Sequence, residues 1–123
     1  MAEQILPSII LLTYKGKALL VNRKNSPIDE EKHPWSFIGG VKEKNESFEN
    51  AMTRRVEKET GIKIQNIKQI SEHCYHAILT DDNVNNMRRE ENQLLDFFNP
   101  AEVRKLLLSR TTQTVFQKHI ALI

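Results

Sequence analysis

Apolar residues run unbroken through Ile9-Ile10-Leu11-Leu12. A one-sided surface strand alternates apolar and polar positions, so this continuous run predicts a strand, Ser8 to Tyr14, central in a sheet. Lys15-Gly16-Lys17 reads as a turn and Ala18 to Arg23 as a second strand, giving a hairpin. Asn25 to Pro34 is polar with two prolines and reads as a loop. Trp35 to Ile38 reads as a short strand leading into Gly39-Gly40.

The period then changes. Phe48, Ala51, Met52 and Val56 recur at three- and four-residue spacing and form one helical stripe. Ser47 is placed to cap the first turn through its hydroxyl, and Gly61 to end the helix in the left-handed conformation. The helix is predicted over Phe48 to Thr60.

Ile64 to Thr80 carries β-favouring residues with Tyr75, Ala77 and Leu79 on one face, as one long strand or two shorter ones. Asp81 to Asn92 is too polar for core and reads as a loop or an exposed helical turn. Leu94 to Phe98 reads as a strand. Asn99, Pro100 and Glu102 form a helix-start signature, and Ser109 to Thr112 can cap a last helix over Gln113 to Leu122. The order β-β-β-α-β-(β)-β-α-α lacks regular βαβ alternation, which predicts a mixed α/β (α+β) fold or a layered mixed sheet.

Composition adds limits. A chain of 123 residues fits one domain, 1–123, and 39% hydrophobic with 28% charged residues is ordinary for a globular protein. A net charge of +2 argues for neither nucleic acid nor membrane as a partner. No stretch approaches the roughly 20 apolar residues of a membrane-spanning helix. The start of the chain carries an acid and no basic segment, so a signal peptide is not expected. The single cysteine, Cys74, excludes an internal disulfide and suits a reducing cytoplasm. Its neighbours suggest a strand, which favours a buried small residue over a reactive thiol. His33, His73 and His76 lack the spacing and cysteine company of a zinc site.

The charged end of the helix carries the candidate chemistry. Arg55 and Glu59 continue the apolar stripe into the last turns, with Lys58 beside it. A charge on a core-facing stripe needs a partner or a ligand. Two readings follow: an Arg55–Glu59 ion pair at four-residue spacing, or a polar site where helix, glycine turn and substrate meet. Glu57 lies roughly 160° around the helix from Glu59 and reads as part of the solvated face. Glu43 in the preceding loop is a further candidate ligand.

Gly40, Glu46, Arg54, Val56, Glu59, Gly61 and Ile62 stand at the spacings of the Nudix box, G-x5-E-x7-R-E-U-x-E-E-x-G-U, where U is a bulky aliphatic. The chain matches seven of the nine specified positions and resembles the Nudix (MutT-like) hydrolase family. The hairpin ending in Arg23, the W-S-F-I-G-G stretch and the late E-x-Q-L-L-D-F-F-x-P-x-E-V stretch also look like that family, so the resemblance covers most of the chain. It implies an α/β/α sandwich around a mixed β-sheet. It also implies hydrolysis of a diphosphate bond in a nucleoside diphosphate derivative, with Mg2+ or Mn2+ as cofactor. Family members are often dimers, so a homodimer is expected too.

Residue by residue, the resemblance implies that Glu46 and Arg54 form a structural ion pair and that Gly39 and Gly40 let the backbone approach phosphate. It implies that Arg23 contacts substrate, with an exposed strand-end charge as the alternative. Glu59 would hold metal and act in catalysis. Glu91 matches a residue that serves some members as metal ligand or general base, although Asn92 stands where the family has Gly. For Glu90 and Glu91 a solvated surface pair is the alternative. Trp35, Phe37 and Tyr75 can stack on a base, but aromatics in such a sandwich are more often core.

The two departures are Arg55 and Lys58, each where the family has a metal-binding Glu. Three carboxylates carry −3, whereas Arg55, Lys58 and Glu59 together carry +1. Two unit charges about 4 Å apart interact by roughly 4 kcal/mol at an effective dielectric of 20. A dication would face two such cations and lack two ligands. Three readings follow. Weak hydrolysis persists, with metal carried in by substrate and held by Glu59 and a loop carboxylate. Or Arg55 and Lys58 bind phosphate directly in a non-catalytic sensor or partner-binding module. Or Arg55 and Glu59 pair and fill the old site.

Overall fold

The computed structural model describes residues 7–23, 34–88 and 93–123. The strands are β1 (Ser8–Tyr14), β2 (Lys17–Arg23), β3 (Ile38–Gly40), β4 (Lys68–Ser71), β5 (Cys74–Ile78) and β6 (Gln93–Phe98). The helices are α1 (Phe48–Thr60), α2 (Asp81–Asn85), α3 (Pro100–Val103) and α4 (Arg110–His119), followed by a 3-10 turn, Ile120–Leu122.

The sheet order is β4-β5-β1-β2-β6, with β3 paired to β1. β1 and β5 run parallel and the other pairs are antiparallel, so the sheet is mixed. β1 is central, as its apolar run demands: Ile9 to Leu12 are all buried. Its two faces feed two cores. Ile10 and Leu12 join Ala51, Met52, Val56, Tyr75 and Ala77 under α1. Ile9 and Leu11 join Phe37, Cys74, Val103 and Phe116 under α3 and α4. The result is a three-layered α/β/α sandwich. No helix among the described residues is long and apolar enough to cross a membrane.

α1 begins and ends where local chemistry requires. Ser47 accepts a hydrogen bond from the Asn50 amide, and Gly61 takes φ 78°. Its apolar stripe is buried completely at Ala51, Met52 and Val56. Burial of a side chain such as Met or Val contributes roughly 1.5–3 kcal/mol.

The functional end of the fold is opened by an irregular segment. β2 pairs with β1 only near the hairpin, at Thr13–Ala18 and Tyr14–Lys17. Beyond that the two strands part, and residues 35–40 fill the gap. Ser36 bridges to Val21, and Ile38, Gly39 and Gly40 pair with Ile10, Ile9 and Ser8. The strand expected over Trp35 to Ile38 is therefore displaced to Ile38–Gly40, because the glycines permit close approach to β1. A Cβ on Gly39 would lie 2.6 Å from the Ser8 carbonyl oxygen.

Other boundaries also shift. Lys17 belongs to β2 and not to the turn. The span Ile64 to Thr80 resolves into two strands, split by a turn at Glu72-His73 in which His73 has φ 58°. The polar stretch after Thr80 begins as the short helix α2. Ser109 caps the last helix, which starts at Arg110 and not at Gln113.

Candidate functional site

Loop 41–47 is held to α1 by one carboxylate. Glu46 accepts from Arg54 Nε at 2.9 Å and Arg54 Nη2 at 3.1 Å, and from the Glu43 amide at 2.9 Å. The Arg54 guanidinium, then the Glu43 amide, hold the Glu46 carboxyl below its ordinary pKa. Glu43 itself lies 3.6 Å from Arg54 and is exposed. This geometry fixes the path from Gly40 into the helix.

Arg55 and Glu59 sit one helical turn apart on the inner face of α1. Arg55 Nε donates to the Gly39 carbonyl at 3.3 Å, and Arg55 Nη2 donates to Glu59 Oε1 at 3.4 Å. Glu59 is 9% exposed and the Arg55 side chain 22%. The guanidinium lies over Gly40, where a Cβ would come within 2.8 Å of Arg55 Nε. Both readings of this helix end thus apply together, because the ion pair also touches the glycine turn. A guanidinium has five N–H donors. Two are used here, and the other three have no partner among the described residues.

A cavity of about 330 Å³ opens beside this pair. Gly39, Gly40, Arg55 and Glu59 line it, with Ser8 and Ile9 of β1, Ser36 to Ile38, and Ser109, Thr111 and Thr112 at the start of α4. α4 is fastened there by long-range bonds. Phe37 N donates to Thr112 Oγ1 at 3.1 Å, Trp35 N to Leu107 O at 2.7 Å, and Ser109 N to Trp35 O at 3.0 Å. Ser8 Oγ is buried with no hydrogen-bond partner among the described residues.

The structure therefore brings together Gly39, Gly40, Arg55 and Glu59. Lys58 is exposed and is not among the residues lining the cavity; Glu57 is exposed too, as its angular position requires. Arg23 ends β2, paired with Gln93. Glu90, Glu91, Asn92 and His33 lie outside the described residues. Phe37 and Tyr75 are buried, and Trp35 packs edge-on against Phe98 with ring centroids 4.9 Å apart. Cys74 is 2% exposed and burial pushes its thiol pKa up. Sequence reasoning missed Ser8, Ser36, Thr111 and Thr112 as lining residues. Only Ser109 carried a local signal, as a helix cap.

The described residues do not fit the divalent ion that the family uses. They contain no group of three His, Cys, Asp or Glu able to hold a metal. Glu59 and the Gly39 carbonyl are the hard oxygens at this spot, and both already accept from a cation.

Residues 5–117 match the family model described as NUDIX domain. The NAD-capped RNA hydrolase NudC of Mannheimia succiniciproducens is 38% identical over 66 residues, which are 52% of this chain and 25% of that protein. The match thus spans about a quarter of that relative's length. Among solved structures, the MutT NUDIX hydrolase from Burkholderia pseudomallei has a TM-score of 0.73 at 20% identity, covering 95% of this chain and 99% of that one. The NUDIX domain of Shewanella oneidensis NrtR, complexed with ADP ribose, has a TM-score of 0.73 at 20% identity, covering 100% and 91%. At these identities the structural likeness speaks for the fold.

Proposed function

The chain belongs to the NUDIX domain family, and from that premise we propose that it is a hydrolase-type protein whose cavity takes a nucleoside diphosphate derivative, with hydrolysis weak or lost. The observation that carries this reading is Arg55. Its guanidinium lies in a cavity beside two glycines and keeps three donors for a ligand. Guanidinium matches phosphate oxygens bidentately, and the absence of a side chain on Gly40 leaves the approach open. Lys58, exposed on the same helix, adds positive charge near the approach without reaching the cavity lining. Binding of a diphosphate group here is charge neutralisation by a fixed side chain.

The same arrangement disfavours fast hydrolysis. Attack on phosphorus requires charge to be neutralised as it develops and water to be positioned. Glu59 is tied to Arg55, and Glu91 would have to complete any catalytic set. The family of folds with a NUDIX domain complexed with ADP ribose makes that compound the first probe.

Calorimetry with ADP-ribose, run with and without a chelator, tests the reading. Binding that survives the chelator and falls at least about tenfold in Arg55→Ala supports it. Turnover of ADP-ribose or nucleoside triphosphates with magnesium at ordinary rates, on the order of 1 per second or faster, overturns the statement that hydrolysis is weak or lost.

A further inference from the structure

We propose that the Arg55 guanidinium is a tethered cation occupying a seat built for a metal ion, and that Arg55→Glu alone converts this seat into a divalent-metal site. The inference deepens the proposed reading of the same cavity. Its test uses the metal alone, so a failure to bind nucleotide and a failure of the seat are read separately.

The seat is defined by what the guanidinium touches. One planar group donates to a backbone carbonyl, Gly39 O, and to a buried carboxylate, Glu59 Oε1. These are hard oxygens from two different elements, β3 and α1, brought together by the fold. An oxygen pair of this kind suits a cation, and magnesium or manganese can complete such a shell with water. The cation present is a side chain. Gly40 supports the same conclusion, since Arg55 Nε, Cδ and Cζ lie within 3.3 Å of where its Cβ would stand. The arginine has a lodging place shaped for it and is not a solvated charge that drifts over the cavity.

A glutamate at position 55 changes both terms. It removes the competing positive charge and supplies a second carboxylate one helical turn from Glu59, on the same face. The donor set becomes two carboxylates and the Gly39 carbonyl, and a shorter side chain uncovers Gly40.

Mn2+ alone is titrated into wild type, Arg55→Glu, Arg55→Gln and the double variant Arg55→Glu/Glu59→Gln, with free Mn2+ read by electron paramagnetic resonance. Arg55→Glu is expected to bind Mn2+ at least about tenfold tighter than wild type. Arg55→Gln, which loses the charge without adding a carboxylate, is expected to show much less of that gain, and Glu59→Gln to abolish it. A folded Arg55→Glu that binds no tighter than wild type overturns the proposal, as does an equal gain in Arg55→Gln. A wild-type arm covers the case of a variant that does not fold. Millimolar-scale Mn2+ should leave the wild-type Gly39 and Glu59 amide resonances sharp, and selective broadening there would show that the seat is open to metal despite Arg55.

Discussion

Arg55 lies across Gly40, with its Nε 2.8 Å from where a Gly40 Cβ would be, whereas the neighbouring Gly39 faces the Ser8 carbonyl at 2.6 Å. The two glycines therefore answer to different constraints. Gly39→Ala meets the backbone of the central strand, which cannot move aside without disturbing the sheet. It should cost about 2 kcal/mol or more, as overpacking does. Gly40→Ala meets the middle and end of a flexible side chain. It should cost less than about 1 kcal/mol of stability yet displace the guanidinium and weaken nucleotide binding. Urea melts and calorimetry on both variants check this. Equal stability losses would show that Arg55 is not free to yield.

Glu46 links loop 41–47 to α1, and Arg54 followed by the Glu43 amide lowers its folded-state pKa. A carboxyl with a depressed folded pKa contributes stability that is present above its unfolded pKa and is lost as pH falls through the folded one. The ordinary value is 4.5. Wild type should therefore be more stable than Glu46→Gln at pH 7, with the gap closing progressively below about pH 4.5. Thermal melts of both proteins from pH 7 to pH 3 read the gap directly. A gap that does not change with pH would mean that the Glu46 effect comes from packing and not from charge.

How much of this was legible depended on the distance along the chain between cause and effect. Ser47, Gly61 and the Phe48–Thr60 stripe are local signals, and α1 begins and ends where they place it. Ile9 to Leu12 announced a central strand because burial on both faces leaves no room for alternation. The turn at Glu72-His73 was ambiguous because a histidine, and not glycine or asparagine, adopts the positive φ. The cavity was not legible beyond the helix and the glycines. Thr112 reaches it through a bond to Phe37, 75 residues away, and Ser8 through sheet register with Gly40. Neither relation leaves a mark in local periodicity. The departure at Arg55 was plain in the sequence, but its simultaneous hold on Gly39 and Glu59 depends on how β3 and α1 meet.

His76 is 8% exposed and its Nε2 lies 2.8 Å from Thr13 Oγ1. Burial, then Lys68 and His119, lowers its pKa from the ordinary 6.5. An imidazole held neutral in the folded state takes up a proton more readily when unfolded. Its contribution is intact above the unfolded pKa and is eroded as pH falls below about 6.5, down to the lower folded value. His76→Gln removes this proton linkage. The variant should be less stable than wild type at pH 8, and its stability should fall less steeply between about pH 6.5 and pH 5. Parallel slopes for the two proteins across that window would mean that His76 titrates as freely folded as unfolded.

Ser8 gives a prediction of opposite sign to most core substitutions. Its side chain is 1% exposed, lines the cavity and has no hydrogen-bond partner among the described residues. A buried hydroxyl left unpaired costs about 1–3 kcal/mol relative to one that is bonded. Its backbone is held independently by pairing with Gly40. Ser8→Ala removes the unpaired oxygen, leaves that pairing untouched and opens only an atom-sized gap. Stability should therefore rise, by about 1 kcal/mol, the lower end of the unpaired-group penalty. Chemical denaturation of the unliganded variant beside wild type reads the change. A loss of stability of similar size would mean that the hydroxyl is bonded in solution, to ordered water or to residues outside those described. The polar floor of the cavity would then be part of the folded state's own hydrogen-bond network, since a hydroxyl without a partner cannot stabilise the fold by being present.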